Sequence, residues 1–339
     1  MGASFDPAAA TVGTPITIPE KVIVDPQGVL HLAVSADGTL VYIAPDSEAQ
    51  PPMLGWVSRT GEFTEIASLP PGTDDAALSP DGTRALILNP VSSKVSIFDL
   101  ARRVATPLNL DRRQVESASW YPDGKRITLG GAYLSLFDPD SGTETRLTPT
   151  GRPKRFASWN PDGSYAAYMT FEPGNDLYKV AFDRNAGRPA SAPSPLVATP
   201  ATENAPVIAP GGRWFSYLTR SDGSSGDRDV YIARFPAGTE RVRVTSAGAV
   251  SAPLWSKKGD ELFFAAPSGL FQRVPVSLGD RVQVGQPRTL FPLNGADSLS
   301  PAPDGSRFLA VKRPAVAPRR EIVVVQHWLD ELQALVPTR

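Results

Sequence analysis

Asp74, Glu116, Asn204 and Asp297 stand at one repeating position of the chain, together with Leu30, Arg155 and Ser251. Three carboxylates and an amide are hard oxygen donors that suit Ca2+ in a wide, partly hydrated site, whereas zinc would want nitrogen or sulfur. A calcium ion held there would polarise a lactone carbonyl or a phosphoryl oxygen and orient a water. Glu116 is then the candidate base, and His31, one residue after Leu30, is the other. Without metal, Asp74, Asp75, Arg155, Asn204 and Ser251 offer charge-assisted hydrogen bonds to a cationic or hydroxyl-rich ligand. Arg155 brings a positive charge into the same set, so the metal reading requires it to turn outward toward Glu172 or Asp176.

Other chemistries have little to work with. His31 and His327 are the only histidines, there is no cysteine, and no Gly-x-Ser-x-Gly elbow occurs. No Gly-rich phosphate loop, zinc pattern or calcium-binding helix-loop motif is found. "GSSGD" at 223–227 reads as a loop. Asp37, Asp81, Asp123, Asp162 and Asp304 recur in one motif and read as turn formers, since five equivalent positions need one structural explanation.

That motif is the strongest signal in the chain. "LSPDGTRALIL" joins two apolar strands through a tight reversal, in which Pro presets the turn and Gly accepts a backbone angle closed to other residues. Seven copies start at Ser35, Ser79, Tyr121, Asn160, Ala209, Ser256 and Ala302, separated by 44, 42, 39, 49, 47 and 46 residues. The period fits four short strands with turns, one propeller blade. The position described above lies five residues before each start, where an inner strand begins, so its side chains are expected to ring one mouth of a central channel. A plain water-filled channel lined by polar side chains is the alternative. Val34, Leu78, Trp120, Trp159, Ile208, Trp255 and Pro301, one residue before each start, are apolar and are expected between blades. Loops at 171–176, 219–229 and 312–320 are expected around the same mouth, with Lys312, Arg313, Arg319 and Arg320 available to an anion.

The ends of the chain bear on closure. "QVGQPRTLFP" at 283–292 reads as a fourth strand, and Val12, Gly13, Pro15 and Thr17 align with its Val284, Gly285, Pro287 and Thr289. The N-terminal segment, residues 1–20, is therefore expected to close the last blade and leave no open edge. Repeats fill 28–330. Trp328, Leu329, Leu332 and Leu335 stand at helical spacing and predict a short helix over 327–336.

Composition sets the outer bounds. The 339 residues are 41% apolar with 35 Pro and 28 Gly, which suits many short strands. With 34 basic and 35 acidic side chains, the net charge of −1 gives no pull toward nucleic acid. No membrane-spanning run and no signal-peptide pattern occur in the chain as given, so membrane insertion and export are not expected of it.

Pro-Asp-Gly after a Trp or apolar residue, as in "ASWYPDGKRITL", "ASWNPDGSYAAY" and "LSPDGTRALIL", resembles the TolB-type propeller repeat. The ending "EIVVVQHWLDELQALVP" and the opening "SFDPAAATVGTPITI" resemble the propeller behind the kinase and membrane segment of bacterial eukaryotic-like Ser/Thr kinases. The resemblance implies an extracytoplasmic location if the chain derives from such a kinase. The metal reading is similar in kind to propeller lactonases and organophosphate hydrolases.

The sequence thus predicts an all-β protein, a single seven-bladed β-propeller domain over 1–339 closed by its N-terminal strand, with six blades plus a displaced unit as the alternative. Its expected function is a sensory or binding module, monomeric, taking a small molecule, peptide or protein at the channel mouth. The alternative is a divalent-metal-dependent hydrolase of lactones, aryl esters or phosphotriesters acting at the channel mouth, with Ca2+ the candidate metal.

Overall fold

A computed structural model describes residues 5–6, 11–12, 20, 22, 30–44, 51–110, 114–171, 175–220, 228–313 and 321–335. It is all-β apart from one helix, Trp328–Leu335. The chain, expected from the repeat to be one domain, divides into two compact units, Pro51–Ala315 and Met1–Gln50 with Val316–Arg339.

Within Pro51–Ala315 the repeats form six antiparallel sheets of four or five strands. Five are contiguous in sequence. Their inner strands are Asp75–Leu78, Ser117–Trp120, Lys154–Trp159, Thr202–Ile208 and Leu254–Trp255, in the first to fifth blades. The sixth blade joins Ala296–Pro301 and Arg307–Lys312 to Met53–Ser58 and Phe63–Ser68 from the other end of the unit. Six apolar clusters fill the six junctions between successive blades, the last packing Leu54, Leu309 and Val311 against Ala76, Ala85 and Ile87. The sheets therefore close on themselves as a ring.

The seventh hairpin builds its own three-stranded sheet in the other unit, ordered Leu32–Val34, Leu40–Ala44, Glu321–Val325. Seven repeats thus give seven repeat-built sheets, six of them in the ring of Pro51–Ala315. In that other unit Leu329 of the helix packs on Gly38, and Trp328 Nε1 donates to Glu20 Oε1 at 3.0 Å.

The closing strand differs from the expected one. The hairpin Ala296–Lys312 is completed by Met53–Ser68 and not by the N-terminal strand. Thr11–Val12 pair with Phe5–Asp6, and residues 13–19 lie outside the described residues. A two-strand partner explains the outcome physically. Met53–Ser58 satisfies the whole edge of Arg307–Lys312 in unbroken register, from Arg307 opposite Ser58 to Lys312 opposite Met53, and brings its own outer strand.

Most residues expected between blades are there in the ring, with Leu78 half-buried against the cluster of the sixth and first blades, whereas Pro301 is half-buried and belongs to none of the six clusters. Trp120, Trp159, Ile208 and Trp255 are buried, whereas Val34, in the other unit, is 43% exposed. Trp120 Nε1 donates to Ala77 O at 2.9 Å and Trp255 Nε1 to Val207 O at 3.1 Å, each on the preceding blade.

The Pro-Asp-Gly turn has a second role beyond reversing the chain. A Cβ on Gly82 would lie 2.9 Å from Pro303 Cδ, on Gly212 3.2 Å from Pro161, on Gly259 3.5 Å from Pro210 and on Gly124 3.7 Å from Pro80. Each turn's proline rests on the glycine of the following blade. In the second blade Tyr121 takes this part, its hydroxyl donating to Gly163 O at 3.1 Å. The fifth blade has Lys257 where the others have Pro, and Gly305 of the next turn accordingly has no neighbour within 4 Å of a Cβ. Arg59 spans that junction, donating to Gly305 O at 3.1 Å and to Glu261 at 2.8 and 3.0 Å.

Gly82 and Gly305 have nearly equal φ, 75° and 72°. Alanine at either should cost about 1 kcal/mol or more of left-handed backbone strain. Gly82→Ala should cost at least about 1 kcal/mol beyond that by overpacking against the Pro303 ring. Urea unfolding of the two variants checks this, and equal losses would show that the proline contact carries nothing.

Candidate functional site

Each inner strand runs from a leading end to its Pro-Asp-Gly turn. Asp74, Glu116, Arg155, Asn204, Ser251 and Asp297 fall at the six leading ends of the ring in Pro51–Ala315. Leu30 and His31 belong to the other unit, where His31 O accepts from Ile43 N at 3.1 Å.

The backbone is shaped at this end. In the third, fourth and sixth blades the register slips just after the candidate residue, between Arg155 and Ser158, Asn204 and Val207, and Asp297 and Ser300. Phe156, Ala205 and Ser298 take left-handed φ values of 56°, 48° and 49° in these bulges. Such angles are strained for residues with a Cβ, and bulges re-aim the side chains beside them. Phe156 is 43% exposed there.

Two groups of charged side chains result. In the first, Arg155 Nε donates to Glu116 Oε2 at 2.6 Å while its guanidinium lies 5.2 Å from the Phe171 ring centroid. Arg155 therefore turns to Glu116 and not to Asp176, the two inner strands being neighbours; Glu172 lies outside the described residues. The second group sits at the seam of the sixth and first blades. Ser298 Oγ donates to Asp75 and accepts from Ala76 N at 2.8 Å, and Ser300 Oγ accepts from Leu78 N at 3.1 Å. Arg313 Nε lies 3.1 Å from Asp297 Oδ2. Burial raises the carboxyl of Asp74, with Asp75 and Asp297 adding to the rise and Arg313 opposing it. Burial also raises Asp75, against the hydrogen bond from Ser298.

The remaining candidates do not join these groups. Ser251 Oγ accepts from Ala265 N at 2.9 Å, and Asn204 Oδ1 is enclosed without a hydrogen-bond partner. Among the described residues no three Asp, Glu or His side chains stand together as a metal-holding group. Asp74, Glu116, Asn204 and Asp297 are thus not gathered around one ion: Glu116 and Asp297 each face an arginine. Parts of the expected surrounding loops, 172–174, 221–227 and 314–320, with Arg319 and Arg320, lie outside the described residues.

Sequence reasoning missed Glu203. It is 1% exposed, its Oε1 accepts from Thr199 Oγ1, and its Oε2 has no hydrogen-bond partner. Burial raises its carboxyl and Asp176 adds to the rise; burial raises Asp176 as well. Strand alternation already turned residue 203 inward, so an acid immediately before the ring position was the available signal.

The turn end shows the opposite pattern. The Ser79 hydroxyl holds Asp81 below the usual carboxylate range, and backbone N–H groups of Ser164 and Ser306 do the same for Asp162 and Asp304. At Glu261 burial pushes upward, but Arg59 and Arg273 outweigh it. In the ring, the described carboxyls that are raised, Asp74, Asp75, Asp176 and Glu203, all lie toward the leading ends; those lowered lie toward the turns.

No family model and no curated relative matches the chain. Solved structures do. A protein assigned as TolB from Agrobacterium tumefaciens is similar at 20% identity over 80% of this chain and all of its own, with a TM-score of 0.61. TolB from Acinetobacter baumannii is similar at 14% identity over 74% of this chain and 68% of its own, TM-score 0.53. The propeller domain of Cps50 (Swd1) from Myceliophteria thermophila is similar at 14% over 73% of this chain and 97% of its own, TM-score 0.51. At these identities the likeness speaks for fold: the chain has a TolB-like β-propeller fold. The resemblance to kinase-linked propellers finds no counterpart in these structures. Among the described residues no helix is long and apolar enough to cross a membrane.

Burial and the neighbouring acids that raise Asp74 make its ionised form costly in the folded chain. Asp74→Asn should therefore be more stable than the parent near pH 7, with the difference shrinking as pH falls through the raised pKa and the parent's own carboxyl becomes neutral. Urea unfolding across that range measures it; a destabilised variant near pH 7 would show that Arg313 governs Asp74 instead.

Proposed function

We propose that this propeller is a protein-recognition module whose leading-end face, the mouth of the ring, takes a partner segment carrying a cationic and an apolar side chain. The fold supports a binding or scaffold role in general, and propellers often bind proteins and peptides at such a face. One observation carries the finer reading: carboxyls held at electrostatic cost cluster at this end, while those at the other end are fully engaged by turn N–H groups and arginines. Carboxylates crowded by like charge and by burial gain most from a cation.

The apolar component rests on exposure. Phe156, Val91 and Val250 are 43%, 63% and 56% exposed, and all three lie toward the leading ends. Val91 lies in the loop between the second and third strands of the first blade, and Val250 in the connection entering the fifth. An aromatic ring kept in solvent on a strained backbone is a natural anchor for a partner.

Peptides selected on the immobilised protein from a displayed random library should carry Lys or Arg near an apolar residue. They should bind Asp74→Asn and Phe156→Ser about tenfold more weakly than the parent. Peptides that bind both variants like the parent, but lose binding to the turn-end variant Arg126→Ala, would overturn the reading.

A further inference from the structure

The junction of the third and fourth blades holds a buried group that peptide recognition does not use. Glu203 opens the fourth blade's inner strand and is 1% exposed; Asp176 opens the third strand of the third blade and is 5% exposed. The backbone ties them across the junction, Glu203 N donating to Asn175 O at 2.8 Å, with Asn175 at a left-handed φ of 65°. Thr199, in the connection between the blades, gives its hydroxyl to Glu203 Oε1. Glu203 Oε2 is enclosed with no donor reaching it.

Two enclosed carboxylates with one oxygen unsatisfied form an incomplete polar cluster, which is costly in a low-dielectric junction. Charged and phenolic side chains surround it. Lys154, on the adjoining inner strand, gives its ammonium to Arg152 O at 2.9 Å, and Arg155 gives its guanidinium to Glu116. Arg241, on the fourth strand of the fourth blade, draws the Glu203 carboxyl down, but less than burial and Asp176 push it up. Tyr217, on the second strand, is itself pushed up to about 12 by burial and stays neutral.

We propose that Asp176 and Glu203 form a proton-binding site that makes the junction of the third and fourth blades, and the Asn204 position beside it, sensitive to pH. Taking up one proton removes the repulsion between the two carboxylates and turns an unsatisfied acceptor into a donor. Because both carboxyls are raised in the folded state, the folded chain binds more proton than the unfolded chain in the window between the ordinary and the raised values. Stability contributed by this site therefore falls as pH rises through that window and returns as pH falls. The site stands whether or not the mouth binds a peptide, because its signal is stability and titration.

The test is thermal unfolding from neutral pH down through the ordinary carboxyl range for the parent, Glu203→Gln and Asp74→Asn. Asp74 and Asp75 contribute a change of the same sign and the lowered turn-end carboxyls one of the opposite sign, so the Glu203 share is read by difference. As pH falls, the parent's Tm should gain on that of Glu203→Gln, and Asp74→Asn should gain on Glu203→Gln in the same way. A Glu203→Gln profile parallel to the parent's overturns the proposal. Carbon-13 carboxyl titration of the parent is the second measurement, independent of any variant's folding: a Glu203 or Asp176 resonance should titrate above the ordinary range, and ordinary titration of both overturns it.

Discussion

Lateral contact between neighbouring inner strands is the constraint on which the ring depends. A four-stranded sheet cannot bury both faces alone, so each blade relies on the side of the next. The contacts are polar as well as apolar. Ser119 Oγ donates to Ala157 O at 2.8 Å, Ser158 Oγ accepts from Ile208 N at 2.9 Å, and Ser298 and Ser300 accept from Ala76 and Leu78 N–H. Indole N–H groups of Trp120 and Trp255 serve two junctions where serine does not, and Arg59 spans that of the fifth and sixth blades. Each such bond fixes the height of one strand against the next, which apolar packing alone would leave free to slide. The doubled serine contact lies at the seam where the sixth blade, assembled from both ends of the unit, meets the first.

Much of this was legible in the sequence, and the reason is periodicity. Turn residues, inner strands and the apolar position before each turn recur at nearly constant spacing, so one physical explanation fitted every copy. The six-residue set at the leading ends followed from the same register. Closure did not follow, because the choice between two candidate edge strands depends on which offers a full set of pairing partners in three dimensions. Val12 to Thr17 matched a fourth strand by residue type, yet Met53–Ser68 supplies two strands in register. The partner of Arg155 was likewise hidden, since Glu116 is 39 residues away in sequence and its neighbour only through the ring.

The bulges were illegible for a related reason. Nothing in "KRFASW", "TENAPVI" or "ADSLSP" announces a left-handed residue, since Phe156, Ala205 and Ser298 all have side chains that disfavour it. The slip is imposed by the surrounding sheet. The second strand pairs Arg155 with Met169 and Ser158 with Ala167, so one extra residue must be absorbed between them, and the same holds in the two other blades. Three equal irregularities at one height are a property of the assembled ring.

The two ends of the ring differ in how their polar groups are settled, and that difference is what favours the leading end as the proposed site. At the turn end each described motif acid meets N–H groups of its own loop, and the prolines of four turns bear on the next blade's glycine, so the turn residues themselves settle the polar groups. At the leading end Asp75 and Glu116 depend on residues of neighbouring blades, and Asn204 Oδ1 and Glu203 Oε2 are left without a partner. Strain, like-charge repulsion and unsatisfied acceptors all lower stability, and a fold tolerates them together only where the remaining structure over-determines their positions. The closed turn end and the six apolar junctions provide that excess. On the proposed reading, the leading end holds its charges and its exposed aromatic ring in place before a partner arrives, which would spare that partner the ordering of these side chains on binding.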